Sequence, residues 1–135
     1  MYAATFIPQR RIVLEEQLFD DASHLRLILT HEILHFVWLR LGNARRREFQ
    51  ALLAAECAAR ARGELGESAD VAKGQIAEKD WRSNSRAWRY YACESFCDTG
   101  AWLLGGVEKH PSFRLASRWR KRRAAWFHAL GYLRI

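Results

Sequence analysis

The hydrophobic pattern is clearest over residues 25–41, where apolar residues recur with the period of an α-helix. The positions that define this period are Leu25, Ile28, Leu29, Phe36 and Leu39. A polar strip of His31, Glu32 and His35 interrupts the apolar surface. The pattern therefore predicts a buried amphipathic helix that carries three ionisable side chains.

The rest of the chain predicts a mostly helical fold with a small N-terminal sheet. Two short β-prone runs, at residues 6–7 and 12–14, are split by Pro8 and predict one or two edge strands. Further helical patterns cover residues 44–62, 68–78, 88–102 and 111–130. The predicted class is α+β, with the sheet packed on the helix of residues 25–41.

Capping residues predict where these helices begin and end. The acidic and Ser residues at 20–23 suit the start of the first helix. Gly63 is expected to end the second helix, and Ser85 or Asn84 to cap the helix at 88–102. Pro111 suits the first turn of the last helix.

The polar strip has the spacing of a metal site. Residues four apart share a face of a helix, so His31 and His35 can hold one metal ion while Glu32 lies beside it. This is the H-E-x-x-H arrangement of two zinc ligands and a general base. Burying these groups without partners would cost several kcal/mol, and a zinc ion supplies the missing partner.

A catalytic zinc site needs a third protein ligand. The helix at 88–102 offers Glu94, and Asp98 four residues later shares its face. Glu56 and Cys57 are rival candidates on the preceding helix, although Glu56 has no aspartate one turn later. Cys93 and Cys97 on the helix at 88–102 could also compete as ligands. They are expected instead to pack in the core as small hydrophobic side chains.

H-E-x-x-H followed by E-x-x-x-D on a separate helix resembles the gluzincin metallopeptidases. The resemblance covers two helices and is nearest to the small single-domain minigluzincins and to peptidase domains of the ImmA/IrrE type, implying a zincin-like fold. It implies that Glu94 is the third zinc ligand and that Asp98 orients a ligand histidine, expected to be His31. The Gly and third His that continue the metzincin motif are missing after His35.

The implied activity is hydrolysis of a peptide or protein by a zinc-activated water, with Glu32 as general base. Tyr90, Tyr91 or His110 could add a hydrogen bond to the transition state. The strand at residues 11–14 is expected to lie beside the cleft, where it could pair with an extended peptide.

The charge pattern keeps a second class of function open. The net charge is +7, and residues 109–135 contain eight Lys or Arg residues and no Asp or Glu. In the last helix, Arg118, Arg120, Lys121, Arg122 and Arg123 form a cationic group. This cationic group favours, as an alternative, a regulatory module that binds nucleic acid or an acidic protein and has a structural or vestigial zinc site.

A third hypothesis is a peptidase kept latent by its C-terminal segment.

Length and cysteine content set the remaining expectations. A chain of 135 residues with 50% apolar content can bury one core, so residues 1–135 are expected to form a single domain. Three cysteines without a secretory leader argue for a reducing, cytoplasmic location. No apolar stretch approaches the length of a membrane span, so no membrane role is expected.

Overall fold

The computed structural model describes residues 3–135, which fold into two β-strands and six α-helices. The strands are β1 (Ala3–Phe6) and β2 (Arg11–Leu14), and a 3-10 turn at Glu16–Asp20 leads into the first helix. The helices are α1 (Ala22–Arg40), α2 (Asn43–Ala58), α3 (Glu67–Lys73), α4 (Glu78–Ser83), α5 (Arg86–Leu104) and α6 (Ser117–Leu130). The predicted α+β class is confirmed.

The two strands form an antiparallel hairpin that lies against α1. Ala3 pairs with Leu14 and Phe6 with Arg11, and the turn closes with a 3.1 Å bond from the Arg10 N–H to the Ile7 carbonyl. The Thr5 hydroxyl lies 3.1 Å from the Glu32 carbonyl of α1. The hairpin is thus attached to the helix at the glutamate of the H-E-x-x-H segment.

Helices α1 and α5 cross closely because a glycine lies at their contact. A Cβ atom at Gly100 would lie 1.8 Å from the Leu34 Cδ1 atom, so a larger residue would displace the Leu34 side chain from the contact between the helices. Each helix starts at the predicted cap: Asp21 accepts from the His24 N–H and Ser85 from the Trp88 N–H. No helix in residues 3–135 combines the length and apolar character needed to cross a membrane.

An aromatic core lies under these two helices. Phe96 of α5 stacks on Phe127 of α6 with ring centroids 4.9 Å apart, and Phe49 of α2 packs edge-on against both rings. Trp38 and Trp126 close the cluster at its margins. Because α1, α2, α5 and α6 all contribute, their burial fixes α1 and α5 relative to one another.

A buried arginine joins the last helix to the rest of the fold. Arg123 is 0% exposed, and its guanidinium bonds both carboxylate oxygens of Glu56 at 2.7 and 2.9 Å. It bonds both oxygens of Glu64 at 2.8 and 2.9 Å, and the Thr99 hydroxyl at 2.9 Å. Burial alone would raise the pKa of Glu64, but the guanidinium outweighs it and holds this pKa at about 2. Arg123 therefore does not belong to the predicted cationic surface.

Two predicted helix boundaries are wrong for reasons connected with this buried group. The second helix ends at Ala58, not at residue 62, because Arg60 takes a left-handed conformation (φ 59°) and the Ala61 N–H bonds the Glu56 carbonyl. The last helix begins at Ser117, not at Pro111. The N–H groups of Arg114 and Leu115 bond the Glu64 carbonyl instead of continuing a helix.

The stretch between the second helix and α5 contains two short helices where the sequence predicted one. The predicted helix at 68–78 is observed as α3, which ends before Gly74, and a separate α4 begins at Glu78. The Asp80 carboxylate accepts from the Ala77 N–H at 2.7 Å and starts the second of these helices.

Candidate metal centre

Helix α1 presents His31 and His35 one turn apart on the face that meets α5. His31 is 4% exposed and His35 is partly exposed, and their ring centroids lie 5.1 Å apart. The helix is fixed at its start by the Asp21 cap and in its middle by the Gly100 contact. These constraints give the two imidazoles a defined separation and direction.

Helix α5 brings a carboxylate to both imidazoles. Oε2 of Glu94 lies 3.3 Å from Nε2 of His35 and 3.7 Å from Nε2 of His31. Burial raises the pKa of Glu94 even though the two histidines oppose that shift. The structure thus brings together the three residues that the sequence singled out as metal ligands.

Cys97 belongs to the same group. One ligand atom from each of His31, His35, Glu94 and Cys97 lies within 4.8 Å of the others, and this buried group could hold a metal ion. The sequence offered Cys97 only as a competing thiol. Its position three residues after Glu94 was the available signal, because residues three apart also share a helix face.

Asp98 contacts His31 from the side away from the cluster. Its Oδ1 atom lies 2.6 Å from Nδ1 of His31, and its Oδ2 atom accepts from the Ala69 N–H at 2.8 Å. Burial lowers the pKa of His31, but the hydrogen bond and charge of Asp98 outweigh it and raise this pKa to about 9. Gly66 packs on this carboxylate, since a Cβ there would lie 2.2 Å from the Asp98 Cγ atom.

His35 has a different outer partner. Its Nδ1 atom lies 3.5 Å from the Sγ atom of Cys93, one helical turn before Cys97. A hydrogen bond from Cys97 and the neighbouring His35 together lower the pKa of Cys93 to about 5. Each imidazole therefore has its outer nitrogen beside an acceptor, a carboxylate for His31 and a sulfur atom for His35.

Glu32 lies beside the cluster and is held by a strand residue. Its side chain is 8% exposed, and the Thr5 hydroxyl of β1 donates to its Oε2 atom. Glu32 and His31 both line a cleft of about 540 Å³. Sequence reasoning did not identify Thr5, because nothing in the strand pattern reveals which α1 residue it faces.

The prediction that the strand at residues 11–14 lies beside the cleft is wrong. Ala3 of β1 lines the cleft, whereas the strand at residues 11–14, expected there, contributes none of the lining residues. The hairpin places β1 next to α1 because Thr5 is bonded to Glu32. Apolar side chains of Leu27 and Ile28 form another part of the wall.

Two of the three residues proposed to contact a transition state line the cleft. The Tyr90 hydroxyl lies 3.4 Å from Oε1 of Glu94. Nδ1 of His110 accepts from the Ser112 N–H at 3.2 Å and lies 2.6 Å from the Ser112 hydroxyl. With Nδ1 as the acceptor, Nε2 is the ring nitrogen that can donate. Tyr91 is 1% exposed and donates to Glu64, so it lies away from the cleft.

The rival ligands on α2 are engaged elsewhere. Both carboxylate oxygens of Glu56 are bonded to Arg123 in the interior. Cys57 lines a separate surface groove with Trp81. Neither residue belongs to the metal-ligand group found in residues 3–135.

The cationic group of the last helix is smaller than the sequence suggested. The guanidinium of Arg120 donates to the carbonyls of Leu115 at 2.5 Å and Phe113 at 2.7 Å. Arg118 and Arg122 lie over the Trp119 ring, 4.3 and 5.3 Å from its centroid. The exposed charges of this group are those of Arg118, Lys121 and Arg122.

No protein-family model, curated protein or solved structure matches this chain, so its chemistry is inferred from the side chains of the site. The donor set of the cluster is two imidazoles, one carboxylate and one thiol. These donors suit a zinc ion, whereas magnesium and calcium prefer oxygen ligands.

Proposed function

We propose that this chain is a zinc-dependent peptidase of the gluzincin type. His31, His35 and Glu94 would hold the ion, which supplies Lewis acidity that polarises a substrate carbonyl and acidifies a water molecule. The observation that carries the proposal is the position of Glu32: it follows His31 on α1, and both residues line an open cleft.

Glu32 is the general base in this proposal. Its Oε2 atom accepts from the Thr5 hydroxyl, which leaves Oε1 to accept the proton of the attacking water. The carboxylate then passes that proton to the leaving amine. Because Glu32 is largely buried, its carboxylate is held in place between α1 and β1 during both transfers.

Two residues of the cleft lining, His110 and Tyr90, are candidate donors to the transition state. Because Nδ1 of His110 accepts from Ser112, its Nε2–H can donate to a developing oxyanion in the cleft. Tyr90 can donate through its hydroxyl, which lies beside Glu94.

The substrate proposed is an extended peptide that lies along β1. This strand pairs with β2 on one edge, and in the described sheet its other edge has no strand partner. Ala3 on this strand lines the cleft, so a peptide there could add main-chain hydrogen bonds next to the ligand group. Leu27, Ile28 and Val71 favour an apolar substrate side chain at this place.

The test combines metal content with cleavage. Protein purified without added zinc is expected to contain one zinc per chain, with a large loss in His35→Ala and Glu94→Ala. Glu32→Gln is expected to keep the zinc and lose cleavage of a peptide library. The matched control is Glu67→Gln, an exposed carboxylate that lines the same cleft. Unchanged cleavage by Glu32→Gln, or no zinc in the parent, would contradict the proposal.

The alternative functions receive less support from the structure. A nucleic-acid or acidic-protein site would depend on the exposed charges of Arg118, Lys121 and Arg122, since Arg120 bonds carbonyls and Arg123 is buried. Latency imposed by the C-terminal segment would require that segment to cover the cleft. The described residues that line the cleft extend no further than Ser112.

A further inference from the structure

We propose that Cys97 is a fourth metal ligand, so that four side chains hold the ion and none of its positions is open in the resting protein. The proposal deepens the function proposed above and rests on the same metal site. It assigns a role to a buried thiol that the peptidase mechanism does not use.

The placement of Cys97 carries the argument. Its Sγ atom lies within 4.8 Å of a ligand atom of each of the other three residues. Donors at ordinary zinc distances in a tetrahedral site lie about 3.5 Å apart, so the four groups need to approach by only about 1 Å. Both Glu94 and Cys97 belong to α5, so one rigid helix supplies two of the four ligands.

The Cys97 thiol is buried and hydrogen-bonds to Cys93. Cys97 is 0% exposed and lies in the main core, and coordination would replace this hydrogen bond with a bond to the ion. A metal ion deprotonates a thiol that coordinates it, and the proton is released to solvent. The other two cysteines cannot take this place, because Cys93 contacts the outer nitrogen of His35 and Cys57 lies on α2.

Four protein ligands have a functional consequence. Zinc sites with four side-chain ligands are closed, whereas catalytic sites keep one position open. A substrate would therefore have to displace the Cys97 thiolate from the ion before Glu32 could act. The coordinated thiolate would slow cleavage without abolishing it, so the comparison of the parent with Glu32→Gln still tests the function.

Cobalt(II) provides the test because it binds in place of zinc and absorbs light. A thiolate ligand gives a charge-transfer band in the near ultraviolet that nitrogen and oxygen ligands do not give. The parent protein with cobalt is expected to show this band. Cys97→Ser and Cys97→Ala are expected to lose it, while Cys57→Ser and Cys93→Ser keep it.

Azide then tests whether a position is open. This small anion binds cobalt only where a ligand position is free, and its binding changes the visible spectrum. We expect no change in the parent protein and a clear change in Cys97→Ala. Circular dichroism of each variant confirms that the fold is retained, and the measurements on the parent do not depend on any variant.

The outcomes separate this inference from the function on which it rests. Cobalt binding by the parent without a charge-transfer band would overturn the role of Cys97 and leave the peptidase proposal intact. Loss of the band in Cys93→Ser but not in Cys97→Ser would also overturn it. A spectral change on adding azide to the parent would overturn the closed centre. Failure of the parent to bind cobalt or zinc would overturn both proposals.

Discussion

The Nδ1 atom of His31 lies 2.6 Å from the Oδ1 atom of Asp98, across the contact between α1 and α5. The second oxygen of the same carboxylate accepts from the Ala69 N–H at 2.8 Å. The bond to Nδ1 directs the other ring nitrogen, Nε2, towards Glu94, 3.7 Å from its Oε2 atom. One aspartate thus connects three helices and fixes the direction of a candidate metal ligand.

Replacing this carboxylate should weaken metal binding. We expect Asp98→Asn to lower zinc affinity by about 10–100-fold, because the amide no longer accepts strongly from His31 and Ala69 together. Competition with a chromophoric chelator measures this change. Asp70→Asn is the control, since the Asp70 carboxylate lies near the surface, 3.6 Å from the Arg114 guanidinium. Equal affinity of the parent and Asp98→Asn would contradict the prediction.

A methyl group at Gly66 should have a similar effect from the opposite side. Its Cβ would lie 2.2 Å from the Asp98 Cγ atom, so the carboxylate would have to move away from His31. We expect Gly66→Ala to lower zinc affinity by about tenfold or more. Gly74→Ala is the matched control, because its Cβ would meet nothing nearer than 3.4 Å. The two variants are compared in the chelator titration, and equal values would argue against this packing.

Thr5 should affect cleavage without affecting the metal. We expect Thr5→Val, which keeps the shape of the side chain, to lower kcat by about 10-fold, because the Glu32 carboxylate loses the donor that orients it. Thr5→Ser should restore most of the rate, and zinc content should remain unchanged in both. A valine variant with the parental rate and pH profile would show that the hydroxyl does not position Glu32.

Removing Arg123 should strongly destabilise the fold. Arg123→Met would leave Glu56 and Glu64 buried without their cation, which costs about 3–5 kcal/mol. Urea unfolding monitored by tryptophan fluorescence measures the loss. Arg122→Met tests an exposed neighbour on the same helix and should change the free energy of unfolding by less than about 1 kcal/mol. Similar values for both variants would show that the buried ion pairs contribute little.

Acid should remove the contribution of Glu64 to stability. The pKa of this carboxyl is about 2 in the folded protein and 4.5 ordinarily, so the folded state binds fewer protons. Its contribution, about 3 kcal/mol, is complete above pH 4.5 and is lost as the pH falls towards 2. Urea midpoints measured across this range should fall less steeply for Glu64→Gln than for the parent. Glu67→Gln should retain the parental slope.

The site residues were accessible to sequence reasoning because helical spacing is a local property. His31 and His35 share a face by their separation alone, and the same holds for Glu94 and Asp98. That the two faces meet is not local. It depends on Gly100 allowing α5 to approach Leu34, a contact between residues far apart in the chain.

The errors arose where a distant partner decided the structure. In the sequence Arg123 belongs to a basic run, which predicts a surface charge. Its burial becomes evident only from its hydrogen bonds to Glu56 and Glu64. The start of α6 was misplaced because the Glu64 carbonyl takes the N–H groups of Arg114 and Leu115. No property of residues 111–116 alone indicates that these bonds form.

The buried arginine has a consequence for how the protein is made. Because the ribosome builds the chain from its N-terminus, Glu56 and Glu64 are synthesised 67 and 59 residues before Arg123. Until α6 emerges, the nascent chain holds the two carboxylates without the guanidinium that accompanies them into the core, which favours their staying hydrated. Helices α1 and α5 are therefore expected to reach their final packing only after α6 has emerged.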